Sequence, residues 1–112
     1  MSDPAVGARP ALKGFQRQYL KALAHELKPL VQVGQQGVTD EVVAATNRAL
    51  ADHELIKVRL HEPEDKHAMA AALADRCGAV LCAMIGHTMI LYRPHPKEPR
   101  IRIPERKGPV AS

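Results

Sequence analysis

The stretch from Leu30 to His61 limits the possible folds more than any other part of the chain. A short apolar run, Leu30 to Val33, leads into Gly34-Gln35-Gln36-Gly37-Val38-Thr39-Asp40. Thr39 is a good N-cap, and Asp40 and Glu41 fall in the first turn, where the helix dipole favours acids. The spacing predicts a helix to about Asp52, with Val42, Ala45, Thr46, Ala49 and Leu50 as its buried stripe. Leu55 to His61 then alternates. Ile56, Val58 and Leu60 point one way and Lys57, Arg59 and His61 the other, which is the period of a strand. Strand, loop, helix and strand make a β-α-β unit, so the two strands are expected to be parallel with a right-handed crossover. One face of the second strand enters the core, and the opposite face is basic.

The flanks fit around this unit. Leu12, Phe15, Tyr19, Leu23 and Leu27 recur at three and four residues and predict a helix ended by Pro29, with these side chains as its buried face. Lys13, Arg17, Lys21, His25 and Lys28 fall on the other side, and Glu26 is the only acid in that helix. A solvated face normally mixes signs, and this one does not. After Leu60, Pro63 suits the first turn of a third, Ala-rich helix that runs to Cys77, with Gly78 as its C′ residue. Glu62, Glu64 and Asp65 are read as helix-start acids. Ala79 to Ile85 is an apolar strand expected at the centre of the sheet. Gly86-His87 suits a two-residue type II′ turn, and Thr88 to Arg93 is the returning strand. Prolines at 94, 96, 99, 104 and 109 exclude regular structure beyond, apart from an edge pairing near Ile101 to Ile103.

The expected fold is α/β: one compact domain of order α-β-α-β-α-β-β, with a mixed four-stranded sheet packed on helices. A flexible arm over 1–11 and a flexible basic tail over 105–112 are expected to flank a domain over 12–104. The charge supports a separate role for the tail. Residues 1–92 hold ten Lys/Arg and ten Asp/Glu, so the formal excess of +4 falls entirely after Tyr92. No apolar run approaches the roughly 20 residues of a membrane helix. The first ten residues lack the apolar core of a signal peptide. These features predict a cytoplasmic protein with no membrane partner.

The chemistry-bearing residues exclude more than they assign. Cys77 and Cys82 form neither a disulfide framework nor a zinc pattern. The six histidines give no H-x-x-x-H or H-E-x-x-H pair. There is no P-loop lysine, dinucleotide fingerprint or nucleophile elbow. No cofactor, metal or catalytic residue is therefore expected. Only Phe15, Tyr19 and Tyr92 are aromatic, too few for a surface that stacks many bases. What remains is the loop. Glycines at 34 and 37 suit a sharp turn or a close approach, and the following helix N-terminus favours an anion.

Leu20-Lys21-Ala22-Leu23-Ala24-His25, Leu27-Lys28-Pro29 and Val33-Gly34-x-x-Gly37-Val38-Thr39 together resemble the CRM domain (chloroplast RNA splicing and ribosome maturation). His53-Glu54-Leu55-Ile56-Lys57-Val58 and Ile85-Gly86-x-Thr88-x-x-Leu91-Tyr92-Arg93-Pro94 extend the likeness over about residues 12 to 104. With one domain and little else, the chain is similar to the stand-alone bacterial YhbY-like proteins. The resemblance implies a fold like the C-terminal domain of translation initiation factor three. It also implies RNA binding, association with precursors of the large ribosomal subunit, and a role in assembly. Carried onto this chain, the family's G-x-x-G loop is Gly34 to Gly37, similar to the backbone-clamping loop of KH domains. Gln35 and Gln36 put amides where charge neutralisation would need Lys or Arg, and His87 stands where relatives often carry lysine.

The expected interface therefore comprises Gly34, Gln35, Gln36 and Gly37 with Lys13, Arg17, Lys21, His25, Lys28, Lys57, Arg59, His87 and Arg93. It is expected on a monomer that contacts the backbone of structured RNA, ribosomal RNA above all. Two rivals make different demands. A small histidine-dependent enzyme needs a deep pocket at His53 or His61 with a carboxylate beside it. A protein-interaction adaptor needs an exposed apolar patch.

Overall fold

The structure, a computed structural model, describes residues 9–105. Its elements follow the expected order: α1 (Gly14–Ala24), β1 (Pro29–Val33), α2 (Asp40–His53), β2 (Leu55–Leu60), α3 (Lys66–Cys77), β3 (Val80–Ile85) and β4 (Thr88–Tyr92). The outermost residues of the expected arm and tail, 1–8 and 106–112, lie outside the described part.

The four strands form one sheet in the order β1-β2-β4-β3. β1 and β2 are parallel, as the β-α-β unit requires, and β4 is antiparallel to both of its neighbours. The alternation in β2 sorts its side chains as expected. Ile56, Val58 and Leu60 enter a core beneath α2 and α3, with Val31 and Val33 from β1 and Met89 and Leu91 from β4. Leu55 enters a second, smaller core on the other face with Leu20, Ala24, Ile90 and Tyr92. The sheet is thus covered by α2 and α3 on one side and by α1 on the other.

Sequence-based expectation for the β3–β4 hairpin needs correction. Ala79 to Ile85 was expected to be central, yet β3 is an edge and β4 holds the middle. The two-residue turn folds β4 back between β3 and β2, and Met89 to Tyr92 are all buried. Gly86 has φ +59 while His87 does not have positive φ, the pattern of a type II′ turn. Both apolar runs satisfy a buried strand equally well, so periodicity alone does not order them.

Helix α1 also differs. It is shorter than the stripe from Leu12 to Lys28 implied, and it is turned by about one residue position. Leu20 and Ala24 face the sheet, whereas Tyr19, Leu23 and Leu27 remain exposed. The helix ends at Ala24, before Pro29, in a short turn closed by the Leu27 amide on the Ala24 carbonyl. The Lys57 ammonium donates to the His25 carbonyl at 3.0 Å, which satisfies one group of the open helix end.

Helix ends elsewhere are capped by side chains. Thr39 Oγ1 accepts from the Val42 amide at 3.2 Å, as expected. Helix α3 starts at Lys66 and not at Pro63. Glu62 has φ +46, and Asp65 is the N-cap, its Oδ1 accepting from the Ala68 amide at 3.0 Å. Gly78 ends the helix in the left-handed conformation. Asp65→Ala should cost about 1 kcal/mol, read as a lower denaturant midpoint with unchanged helix content in the folded state.

No strand forms at Ile101 to Ile103. Residues 94–105 instead run as an irregular strap across the second core, where Ile101 and Ile103 pack. Glu54 holds the strap. It is 0% exposed and has φ +64 between α2 and β2. Its carboxylate accepts from the amides of His95 at 2.7 Å, Arg100 at 3.0 Å and Ile101 at 3.0 Å.

Candidate nucleic-acid interface

The loop after β1 is a β-turn. The Gly37 amide donates to the Gly34 carbonyl and the Thr39 amide to the Gly37 carbonyl, both at 3.0 Å. Gln35 and Gln36 form its exposed tip. Its exit is braced from α3, where the Arg76 guanidinium donates to the Val38 carbonyl at 3.1 Å and pairs with Asp40 at 2.7 Å.

The two glycines are not equivalent. Gly37 has φ +77, which an L side chain adopts only with strain. Gly34 has no such φ, and a Cβ placed there would meet nothing within 4 Å. The fold itself therefore asks for glycine at 37 and not at 34. Gly37→Ala should cost about 1 to 2 kcal/mol. Gly34→Ala should leave thermal and urea midpoints nearly unchanged. If both variants lose equal stability, the distinction between the two positions is wrong.

Parallel β1 and β2 end on the same side as the β3–β4 turn, so the loop and the hairpin tip share one end of the sheet. Across the α1 face at this end runs a register row: Gln32 opposite Arg59, Arg59 opposite Thr88, and Thr88 opposite Ile85. The row crosses three strand spacings, roughly 15 Å. Arg59 stands exposed in it, and Lys57 lies two residues back on the same face. At the β3 side, Lys21 and His25 of α1 meet Ile85 around one open hollow. At the β1 side, His61 Nε2 and Gln32 Oε1 are 2.8 Å apart, beside the loop. Exposed His87 sits at the hairpin tip. The ion pairs found among the described residues, Arg9–Asp75 and Arg76–Asp40, use none of these cations.

The thirteen expected residues thus divide. The structure brings Lys21, His25, Arg59 and His87 towards the end of the sheet that carries Gly34, Gln35, Gln36 and Gly37, while Lys57 lies further back on the same face, level with Pro29 at the start of β1. Arg17 and Lys13 lie about 6 and 12 Å back along α1 from Lys21, and the Arg17 guanidinium donates to the Leu12 carbonyl at 2.8 Å. Lys28 lies outside the helix and lines a separate apolar groove. Arg93 leaves the proposed surface altogether. Its guanidinium donates to Asn47 Oδ1 and to the Cys77 carbonyl, both at 2.8 Å, and clamps α2 to the end of α3. Its backbone position after β4 carries it to the α2–α3 side of the sheet, opposite α1.

The surroundings of the loop are not uniformly basic. Glu62 and Glu64 line a hollow with Gly34, Gln35 and His61, while Thr39 and Val42 line the hollow on the α2 side. Anions are therefore favoured from the α1 side, where the cations lie, and disfavoured beside Glu62 and Glu64.

Sequence reasoning missed Arg76, Asn47 and Glu54. Each acts through one contact between distant elements and leaves no periodic signal. Burial disfavours the thiolate of both cysteines. Burial pushes the Cys82 thiol up to about 12, with Arg17 pulling weakly the other way. Burial also raises the Cys77 thiol, against the weaker pull of Arg93 and Arg76. No group of three or more metal-ligating side chains occurs among the described residues, and no helix there is long and apolar enough to cross a membrane.

Three helices and a four-stranded mixed sheet, with a glycine turn and basic side chains towards one end, make a small single α/β domain. The chain belongs to the CRS1 / YhbY (CRM) domain family, whose pattern matches residues 12–93. It is 40% identical over 93 residues to a Haemophilus influenzae protein named an RNA-binding protein, a match covering 81% of this chain and 93% of that one. It is 37% identical over 95 residues to "Probable RNA-binding protein YqeI" of Bacillus subtilis, covering 83% and 99%. The fold is similar to the solution structure of a Staphylococcus aureus protein described as a candidate RNA binder, with TM-score 0.74 and 30% identity. That match covers 84% of this chain and all of the other.

Proposed function

We propose that this protein binds RNA without catalysing a reaction, and that its target is ribosomal RNA in precursors of the large ribosomal subunit, whose assembly it assists. The observation that carries the reading is the set of basic side chains Lys21, His25 and Arg59, none of them in an ion pair among the described residues, at the sheet end that holds the Gly34–Gly37 turn, with Lys57 behind them on the same face. Such an arrangement suits phosphates, which position a nucleic acid without reading its sequence. The names of the relatives support RNA as the partner, and the family supports ribosomal RNA. Tyr92 is buried and Phe15 half-buried, which leaves Tyr19 as the one exposed Phe, Tyr or Trp among the described residues, so the surface suits backbone contact better than base stacking. We infer a cytoplasmic monomer.

The histidine enzyme has little support. His53 lines a groove without a carboxylate among its lining residues, and the buried Glu54 carboxylate is engaged by three amides. His61 shares an open hollow with Glu62 and Glu64, but its Nε2 is 2.8 Å from Gln32 Oε1, and no hydroxyl, thiol or amine nucleophile lines that hollow. The test of the proposal is crosslinking in cells followed by sequencing of the attached RNA. Large-subunit ribosomal RNA and its precursors should be enriched over messenger RNA of matched abundance. Uniform recovery of all cellular RNA would reject the ribosomal target, and recovery of none would reject RNA binding.

A further inference from the structure

We propose that the groove between the C-terminal end of α1 and the start of β1 docks an acidic amphipathic segment of a protein partner. The groove has a volume of about 350 Å³. Leu23, Leu27 and Leu30 line it and are 43%, 40% and 53% exposed, above a floor that includes the buried Leu55 and Ile56. Three partly exposed leucines converging on one hollow are more than the single apolar side chains any surface shows. They also account for the unused part of the α1 pattern. Leu20 and Ala24 attach the helix to the sheet, and the Tyr19–Leu23–Leu27 row remains available.

Charge selects among possible occupants. Lys28 and His53 line the same groove, no acid lines it, and neither side chain belongs to an ion pair among the described residues. Glu26, Asp52 and Glu54, the nearest acids in sequence, are not among the lining residues, and the Glu54 carboxylate is taken up by the strap amides. A second copy presenting this face would bring the same two basic groups with it. A nucleic acid would find two basic groups but no Phe, Tyr or Trp in the lining, which is otherwise aliphatic. A peptide that inserts aliphatic side chains and flanks them with carboxylates satisfies both features, as an amphipathic helix laid in a groove does. The groove adjoins the N-terminal end of β1 and the loop follows its C-terminal end, so the peptide and an RNA at the loop occupy different places.

The probe is a fluorescein-labelled peptide of two heptads built from Leu and Glu, titrated with the full chain and followed by anisotropy. A control peptide carries Lys in place of every Glu. Saturable binding of the Glu peptide alone is expected. Leu27→Gln with Leu23→Gln should weaken it about tenfold or more, with RNA affinity and circular dichroism unchanged. Should that double variant unfold, Leu30→Gln and Lys28→Gln, each expected to weaken the Glu peptide, serve in its place. Equal binding of both peptides, absence of saturation, or displacement of the peptide by RNA would overturn the proposal. So would dimerisation in the ultracentrifuge that the same leucine substitutions abolish, since the occupant would then be a second copy.

Discussion

Truncating Glu54 to alanine should lower the free energy of unfolding by about 3 to 5 kcal/mol. The carboxylate is fully buried and is the common acceptor for three strap amides. Without it, the His95, Arg100 and Ile101 N–H groups lose their partner at once, and an unpaired buried donor is costly in a way that a lost surface contact is not. The cost is large beside the roughly 5 to 15 kcal/mol by which a domain is normally stable. Glu54→Gln should recover little, because its amide group offers donors where donors already converge. Glu54→Gly should not rescue either. It relieves the φ of +64 but still removes the acceptor. Urea denaturation gives the magnitude, and hydrogen exchange at Arg100 and Ile101 localises it. A folded Glu54→Ala protein with a wild-type midpoint would show that the strap is held by its apolar contacts alone.

Reversing two charges at the sheet end, Lys21→Glu with Arg59→Glu, should produce the largest loss of RNA affinity for the least structural damage. Both side chains are exposed, and such substitutions usually shift stability by no more than about 0.5 kcal/mol. If both contact phosphate, the slope of log affinity against log salt should fall by roughly 1.4 to 1.8 for the pair. Repulsion should reduce affinity further at low salt, where screening is weak. Lys13→Glu with Arg17→Glu is the internal comparison. It reverses the same total charge on the N-terminal half of α1, farther from the loop than Lys21 and Arg59, so its slope should change less. Equal effects from the two pairs would mean that the whole helix attracts RNA as a diffuse field. Unchanged slopes in both would remove α1 and the basic row from the interface.

Features with a local cause could be read from the residues alone. The alternation in Leu55 to Leu60, the cap at Thr39 and the stop at Gly78 each depend on neighbours within a few positions, and each appears where expected. The helix α1 face was harder. Leu20 and Ala24 are spaced like any buried pair, and the larger side chains of the neighbouring stripe pointed to the wrong flank. The order of β3 and β4 depends on which strand meets β2, a pairing between segments some thirty residues apart that composition does not encode. At the candidate site, the loop and the basic face of β2 were visible as local patterns, but the division of the cations was not. Arg93 looks like any other basic residue until Asn47 and the Cys77 carbonyl are placed around it.

The central position of β4 has a consequence for how this chain acquires its structure during synthesis. β4 is the last regular element among the described residues, yet both β2 and β3 pair with it. Until Thr88 to Tyr92 have emerged, β3 has no neighbour and the parallel β1–β2 pair has one open side. The contacts that complete the sheet are thus distant in sequence, a topology that slows folding relative to one built from local pairs. The earlier three-quarters of the chain must wait with the core of Ile56, Val58 and Leu60 short of Met89 and Leu91, an interval in which a nascent chain is prone to misassociation. Once β4 enters, it joins both halves of the sheet in one step, and the strap follows directly to close over Glu54.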